Sequence, residues 1–413
     1  MVLAAAVVAV IWAASPQFMY LLVGDEKEIV RIGVRYLHIV SLTFPFCVSL
    51  YLLTNFLRGT GEIAYPVFNT MLELGFRTAF VFVSVRYIGF YGIMLTKNGR
   101  DGKECVMINF VYGNDQRRQQ RMYELVQVSE KCYCINSPAK IGVYVADGEN
   151  VYLVDSGNDK DAGRKVRQIL DKNGWHLAAI LNTHSNADHI GGNRYLQGQT
   201  GCKVYSGGIE VAFTKYPVLE PSFLYGGYPC KDLRHKFLMA QESNVTDFSD
   251  ESFPKEIEVI PLPGHFFDMV GFRMPDNVVF LADCISSRET LDKYAVSFIY
   301  DVGAYLETLD KVEQMEAAMF VPAHAQAQAD VKELVCYNRD KVHEVADRIL
   351  SICGKPMCFE RILQEVFKGY GLSMNFEQYV LVGSTVRSYL SWLKDTGKLK
   401  AEFQDSMLLW QKA

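Results

Sequence analysis

The stretch "LAAILNTHSNADHIGG", residues 177–192, constrains this chain more than any other. Its apolar start reads as a buried strand that runs straight into polar sequence. That strand then delivers His184, Asn186, Asp188 and His189 within six residues, and Gly191-Gly192 opens a helix. The same arrangement recurs wherever a strand is expected to end: Asp155 in "LVDSG", His265 in "PLPGH", Asp283 in "FLADC" and His324 in "VPAH". Four of the chain's eight histidines stand in these motifs, which separates the pattern from structural histidines scattered through a core. Loops at strand ends, held on a rigid scaffold, are where catalytic groups sit. The reading requires these side chains to converge within a few ångströms.

From Met122 the sequence alternates short β-rich runs with turn residues, as in "MYELVQV", "IGVYVADG" and "NVYLVDSG". The segment "DAGRKVRQILDKNG" has Val166, Ile169 and Leu170 at helical spacing and stops at Asn173-Gly174. Strands follow again in "EIEVIPLPGH", "MVGFRMP" and "NVVFLADC", then a helix over 302–319 and "MFVPAH". Strands, a helix and strands again suit an α/β fold of two sheets between helices, an αββα sandwich, rather than one doubly wound sheet.

The ordered set Asp155, His184-Ser-Asn186-Ala-Asp188-His189, His265, Asp283 and His324 resembles the metallo-β-lactamase-fold hydrolases over about residues 122–330. The family's motif is His-x-His-x-Asp-His, so Asn186 stands where the family has histidine. The resemblance implies two metal sites. One would be held by His184, Asn186 and His265, the other by Asp188, His189 and His324. Asp283 would bridge them, and Asp155 would orient a ligand from behind through a hydrogen bond. Asp188 and Asp283 are the residues assigned to catalysis. The implied cofactor is Zn2+, one or two per chain, with iron or manganese as alternatives. The implied reaction is hydrolysis of a small-molecule ester, thioester or phosphodiester by metal-activated water. An amide oxygen is a weaker donor than imidazole. The expectation is therefore one tight ion at Asp188, His189, Asp283 and His324 and a weaker second, against a competing reading in which activity is lost and metal binding is residual.

The N-terminal quarter has a different character. No charged residue occurs over 1–24, and over 36–57 only His38 could carry charge. Each run is long enough to cross a bilayer as a helix, and a third apolar segment spans 64–95. The sequences "SPQFMYLLVGDEKEIVRIGVRYLHIVSLTFPF" and "NFLRGTGEIAYPV" resemble the multidrug and toxic compound extrusion (MATE) transporters. About three spans, residues 1–97, are expected. They are too few for the two facing bundles of alternating access, so transport is not inferred.

Residues 98–121 read as a polar junction with two open readings. In one, Lys103-Glu104 reflects a purine-rich ribosome-binding tract, Met107 starts a separate cytoplasmic protein, and the fusion is an artefact. In the other, the N-terminal segment is a true membrane tether, and the basic residues from Lys97 to Arg121 keep the hydrolase domain on the cytoplasmic side. A second class of function goes with that tether: a membrane protein of transporter-like origin whose hydrolase-like domain binds metal with little catalysis.

Between Ser206 and Glu256 lies an insert rich in aromatics near its start, expected to roof the site. The tail, residues 331–413, is expected to hold helices near 333–352, 358–368 and 377–396, then a hairpin turning at Gln404-Asp405. That is a winged-helix-like extension. Nucleic acid is not the expected partner: the net charge is −5 and "SYLSWLKDTGKLK" has few basic residues. A packing module or a homodimer contact fits the tail better. The ten scattered cysteines read as reduced thiols.

Overall fold

Side-chain alternation builds the layers. The computed structural model describes residues 122–413 together with residues 12, 14–17, 34, 38 and 41. Seven strands pair in sequence order: β1 (Leu125–Gln127), β2 (Cys132–Ile135), β3 (Ile141–Val145), β4 (Asn150–Val154), β5 (His176–Leu181), β6 (Lys203–Ser206) and β7 (Thr246–Asp247). The β1–β4 pairs are antiparallel and the β4–β7 pairs parallel. Successive residues on a strand face opposite sides, and both sides are used. Val143, Leu153, Ile180 and Val204 pack with Val166, Leu170 and Leu196. The last three belong to helices α1 (Lys160–Lys172) and α3 (Asn193–Thr200). Tyr144, Val154, Leu181 and Tyr205 point the other way, onto Phe272, Phe280 and Val321 of a second sheet.

That second sheet has the order β11-β10-β9-β8, from β8 (Glu258–Pro261), β9 (Val270–Arg273), β10 (Val278–Ser286) and β11 (Met319–His324). Its outer face, with Ile260, Val279, Leu281 and Phe320, buries against Val302, Leu309 and Val312 of α7 (Val302–Glu313). The result is the four-layer αββα sandwich. α7 is shorter than the sequence reading over 302–319. Gln314 caps it, and Met319 is already paired with Val278 in β11. The insert is not a plain loop. It holds α4 (Glu210–Lys215) and α5 (Leu219–Tyr225) and gives the first sheet its last strand.

The tail comprises α8 (Lys332–Ile352), α9 (Phe359–Tyr370) and α10 (Phe376–Asp395), with β12 (Met357–Cys358) and the hairpin β13 (Leu399–Gln404) and β14 (Met407–Lys412). The three strands form a sheet in the order β12-β14-β13. The hairpin turns one residue later than expected, at Asp405-Ser406, both with positive φ (49° and 63°) as a tight two-residue turn requires. Leu363, Val366, Val386, Leu390 and Leu393 share one buried cluster with Leu281 and Leu309. The tail and the second sheet therefore close a common core.

Residues Met1–Gln116 form a separate unit from Arg117–Ala413. Within the first unit, Trp12 donates its indole N–H to Ser41 Oγ (2.8 Å) and stacks on His38 at 4.5 Å. Among the described residues no helix is long and apolar enough to cross a membrane. The spans expected over 1–97, the junction 98–121 and a start near Met107 otherwise lie outside the described residues.

Candidate metal centre

The motif loop leaves β5 and turns immediately into α2 (Ala187–Ile190), with Asn186 at its N-cap position. The glycines after α2 let two backbones touch. A Cβ on Gly191 would sit 2.3 Å from the Asn158 carbonyl carbon, and one on Gly192 would sit 2.3 Å from Ser156 O. This contact holds the loop beside the exit of β4, where Ser156 N–H donates to His189 O (2.8 Å) and Gly192 N–H to Gly157 O (3.1 Å).

Asp155, buried and with φ +63°, is the hub behind the loop. Its Oδ1 accepts the Thr183 N–H (2.8 Å). Its Oδ2 accepts the Thr183 hydroxyl (2.8 Å) and pairs with His189 Nδ1 (2.8 Å). The Thr183 hydroxyl, its proton committed to Asp155, accepts from His184 Nδ1 (3.0 Å). On the far side, His324 Nδ1 donates to Pro138 O (3.0 Å). These three rings thus spend Nδ1–H outward and turn Nε2 inward, the arrangement that neutral imidazole ligands need.

The second sheet supplies the rest. His265 follows Gly264 in the loop between β8 and β9. Gly264 has φ +118°, and a Cβ there would lie 2.3 Å from Tyr305 N. Asp283 lies in β10 next to Ala282, whose φ is +52°, and the β10–β11 register shifts on both sides of Ala282. Such bulges re-aim side chains, and here the bulge sets Asp283 among the histidines. Asp283 Oδ1 is 3.2 Å from His189 Nε2. Its Oδ2 is 3.1 Å from His324 Nε2 and 3.6 Å from His265 Nε2. Asp188 Oδ2 is 3.6 Å from both His189 Nε2 and His324 Nε2.

Two groups of ligand atoms emerge, each within 4.8 Å: Asp188, His189, Asp283 and His324, and His184, His265 and Asp283. Asp283 belongs to both. Six of the seven residues assigned to metal from the sequence converge here. Asn186 is placed in the same loop, and Asp155 behind it.

Electrostatics and unmade hydrogen bonds both fit a cation. His184 Nε2 and Asn186 Oδ1 are buried without a hydrogen-bond partner, and His189 Nε2 and Asp283 Oδ1 face each other at 3.2 Å without a well-aligned hydrogen bond. Burial lowers the pKa of His184 well below the usual histidine value, and the charge on His189 adds to this. Burial acts the same way on His189, but Asp283, Asp188 and Asp155 overcome it and raise that group well above 6.5. His324 is likewise pushed up, to about 10, by Asp283 and Asp188 against its burial. Asp283 is held well below the usual carboxylate range, against burial, by His324 and His189. Protons on His189 and His324 thus balance a concentrated negative charge. A divalent ion would supply that balance and release those protons.

Sequence reasoning missed two buried carboxyls from the insert. Glu210 on α4 accepts from Ser185 N (3.0 Å), Ser185 Oγ (2.5 Å) and Asp268 N (3.0 Å), and burial raises it to about 7. Glu220 on α5 accepts from Asn186 Nδ2 (2.9 Å). The available signal was acidic residues in the apolar segments "IEVAF" and "VLEPSF". Of the insert's aromatics, Phe213 is buried beneath the site, whereas Tyr216 and Tyr228 are exposed.

Comparison with known proteins agrees with this architecture. Residues 141–324 match the family model of the metallo-beta-lactamase superfamily, and residues 1–83 match that of MatE. A hydroxyacylglutathione hydrolase from Methylococcus capsulatus is 51% identical over 39 residues, 9% of this chain and 15% of that protein. The lactamase-like protein adaB from Aspergillus niger is 24% identical over 243 residues, 54% of this chain and 66% of that protein. The chain thus spans less than two thirds of either relative. A beta-lactamase domain protein from Burkholderia ambifaria shares the fold with a TM-score of 0.54 at 16% identity, covering 71% of this chain and 94% of that one. The family match thus marks residues 141–324 as a metallo-beta-lactamase domain, and the sandwich fold and the paired ligand clusters agree with it.

Proposed function

We propose that this protein is a metal-dependent hydrolase of a small-molecule ester, thioester or phosphodiester, with a thioester as the first substrate class to test. The observation that carries the reading is the pair of ligand clusters sharing Asp283. The hydroxyacylglutathione hydrolase relative supports an acyl thioester. Asp188, His189, Asp283 and His324 would hold one ion, and His184, Asn186, His265 and Asp283 a second, weaker one. Zinc is the first candidate, with iron or manganese as alternatives. Bound there, such ions polarise the scissile group and bring the pKa of bound water close to neutrality.

The protein's own groups do the rest. Asp155 fixes the His189 ring directly and the His184 ring through Thr183. The Asp188 side chain is 41% exposed, against 8% for Asp283, so it is the more open of the two clustered carboxylates. Its carboxylate accepts a hydrogen bond from the attacking water and orients it. Phe266 and Phe298, packed on His184 and His265, exclude bulk water from the floor. The MatE match supports a membrane location through the N-terminal segment, and the basic residues from Lys97 to Arg121 favour the cytoplasm for this domain.

The test is turnover by the full chain, supplemented with Zn2+, Mn2+ or Fe2+, on panels of thioesters, lactones and phosphodiesters. Asp188→Ala is the blank. Metal-dependent turnover that this variant loses supports the reading. Equal rates for the two proteins on every panel, with no metal bound to either, would overturn it.

A further inference from the structure

Asn186 occupies the motif position at which the resembled family has histidine, and the structure shows what fixes its amide. Glu220, 5% exposed, takes the donor end: Asn186 Nδ2 lies 2.9 Å from Glu220 Oε1, and the same carboxyl accepts the Ala187 N–H. An amide has one donor end and one acceptor end. An ionised Glu220 only accepts, so a flip would set the amide oxygen against a carboxylate oxygen, and the oxygen is the end left free. That atom, Oδ1, is buried without a partner, as is His184 Nε2 on the same motif loop. Buried acceptors in native proteins are satisfied by protein, water or an ion.

We propose that Glu220 is a positioning residue that presents Asn186 Oδ1 as the fourth ligand of the His184–His265–Asp283 cluster, making it a two-nitrogen, two-oxygen site that prefers Zn2+ over Mn2+ by less than a three-imidazole site does. This rests on reading the site as a paired metal centre. Imidazole suits zinc, whereas carbonyl and carboxylate oxygens suit harder ions such as Mn2+. The carboxyl belongs to the insert, so the segment over the motif loop also sets the composition of the metal site. Glutamine at 220 cannot do this. It has one acceptor oxygen where glutamate has two, so the Ala187 N–H and Asn186 Nδ2 compete for it and the Asn186 amide loses its fixed orientation.

The experiment uses the full chain, stripped by chelation and titrated with Mn2+ alone, then with Zn2+ alone. Free Mn2+ is read by electron paramagnetic resonance. Two Mn2+ ions per chain are expected. Glu220→Gln should weaken the second by roughly tenfold to a hundredfold and leave the first unchanged. Asn186→Ala should do the same, and the double variant should lose no more than either single one. Asn186→His should widen the second site's preference for Zn2+ over Mn2+. If Glu220→Gln also disturbs the first ion, Asn186→Ala decides by the same criterion. A single Mn2+ in the parent protein, additive losses, or no effect of either variant on the second ion would overturn the inference. His184→Ala and Asp188→Ala separate it from the reading beneath it. If both leave metal binding intact, the metal centre itself is refuted. If both reduce binding while Glu220→Gln and Asn186→Ala do not, only the role of Glu220 falls.

Discussion

Replacing Asp155 by asparagine changes one oxygen to N–H2 in a buried group that accepts three hydrogen bonds. The Thr183 backbone N–H can only donate, so it keeps the remaining oxygen. The new N–H2 then faces the Thr183 hydroxyl and His189 Nδ1. Facing a donor, Nδ1 of His189 must become the acceptor, which moves its proton to Nε2, the atom turned toward Asp283. The Thr183 hydroxyl must reverse as well and donate to His184 Nδ1, 3.0 Å away, so that His184 also carries its proton on Nε2. One substitution behind the loop thus blocks a ligand lone pair in each cluster. Losing such support typically costs about 10–100-fold in metal affinity per ligand. The expected loss is therefore tenfold to a hundredfold at each ion. The opposite rotamer gives no escape, because it sets N–H2 against the Thr183 N–H at a cost of about 1–3 kcal/mol. Histidine 15N shifts in the stripped and reloaded protein report the tautomers, and titration with Zn2+ reports the affinities. Unchanged tautomers, with both affinities within threefold of the parent, would refute the reasoning.

Two further outcomes follow from single contacts. Burial holds Glu210 at about 7, above the 4.5 of an ordinary glutamate. The folded state binds this proton more tightly than the unfolded state, so in chelator its stabilising effect is full below pH 4.5 and fades as pH rises to 7, by about 3 kcal/mol. Glu210→Gln should flatten that slope in urea midpoints measured from pH 4.5 to 7.5; a slope equal to the parent's would show that Glu210 does not set it. Gly191→Ala puts a methyl group 2.3 Å from the Asn158 carbonyl carbon and 2.6 Å from Asp159 N. Both are backbone atoms with little room to yield, so a loss of about 1–3 kcal/mol in urea unfolding is expected, and a change under 0.5 kcal/mol would show that the loops part freely.

The strand-exit residues were legible because two local signals coincide there: an apolar run that ends abruptly, and polar side chains with lone pairs at the stop. The same locality made α1 readable, with Asp159 capping its N-terminus and Asn173-Gly174 at its end. The end of α7 was not readable, because Met319 joins β11 only when Val278 is beside it. Nor were β2 and β6, short runs of four residues that gain their partners from the sheet. Glu210 and Glu220 show the limit most clearly. Each sits on a short helix in an aromatic insert, and its partners Ser185 and Asn186 lie 25 and 34 residues away. Nothing in their local spacing marks them.

The sequence by itself determined which donor atoms this protein possesses and that each stands where a strand stops, since strand ends follow from short-range periodicity and turn chemistry. Only the tertiary structure decided that these ends meet. Two sheets had to stack through Tyr144, Leu181, Phe272 and Phe280, and β10 had to bulge at Ala282 to swing Asp283 inward. The orientation of the histidine rings was settled there too, because a ring's free nitrogen depends on what its other nitrogen touches. That partner lies far along the chain for two rings, Asp155 for His189 and Pro138 for His324, and for His184 it is the adjacent Thr183, whose hydroxyl is turned by the distant Asp155.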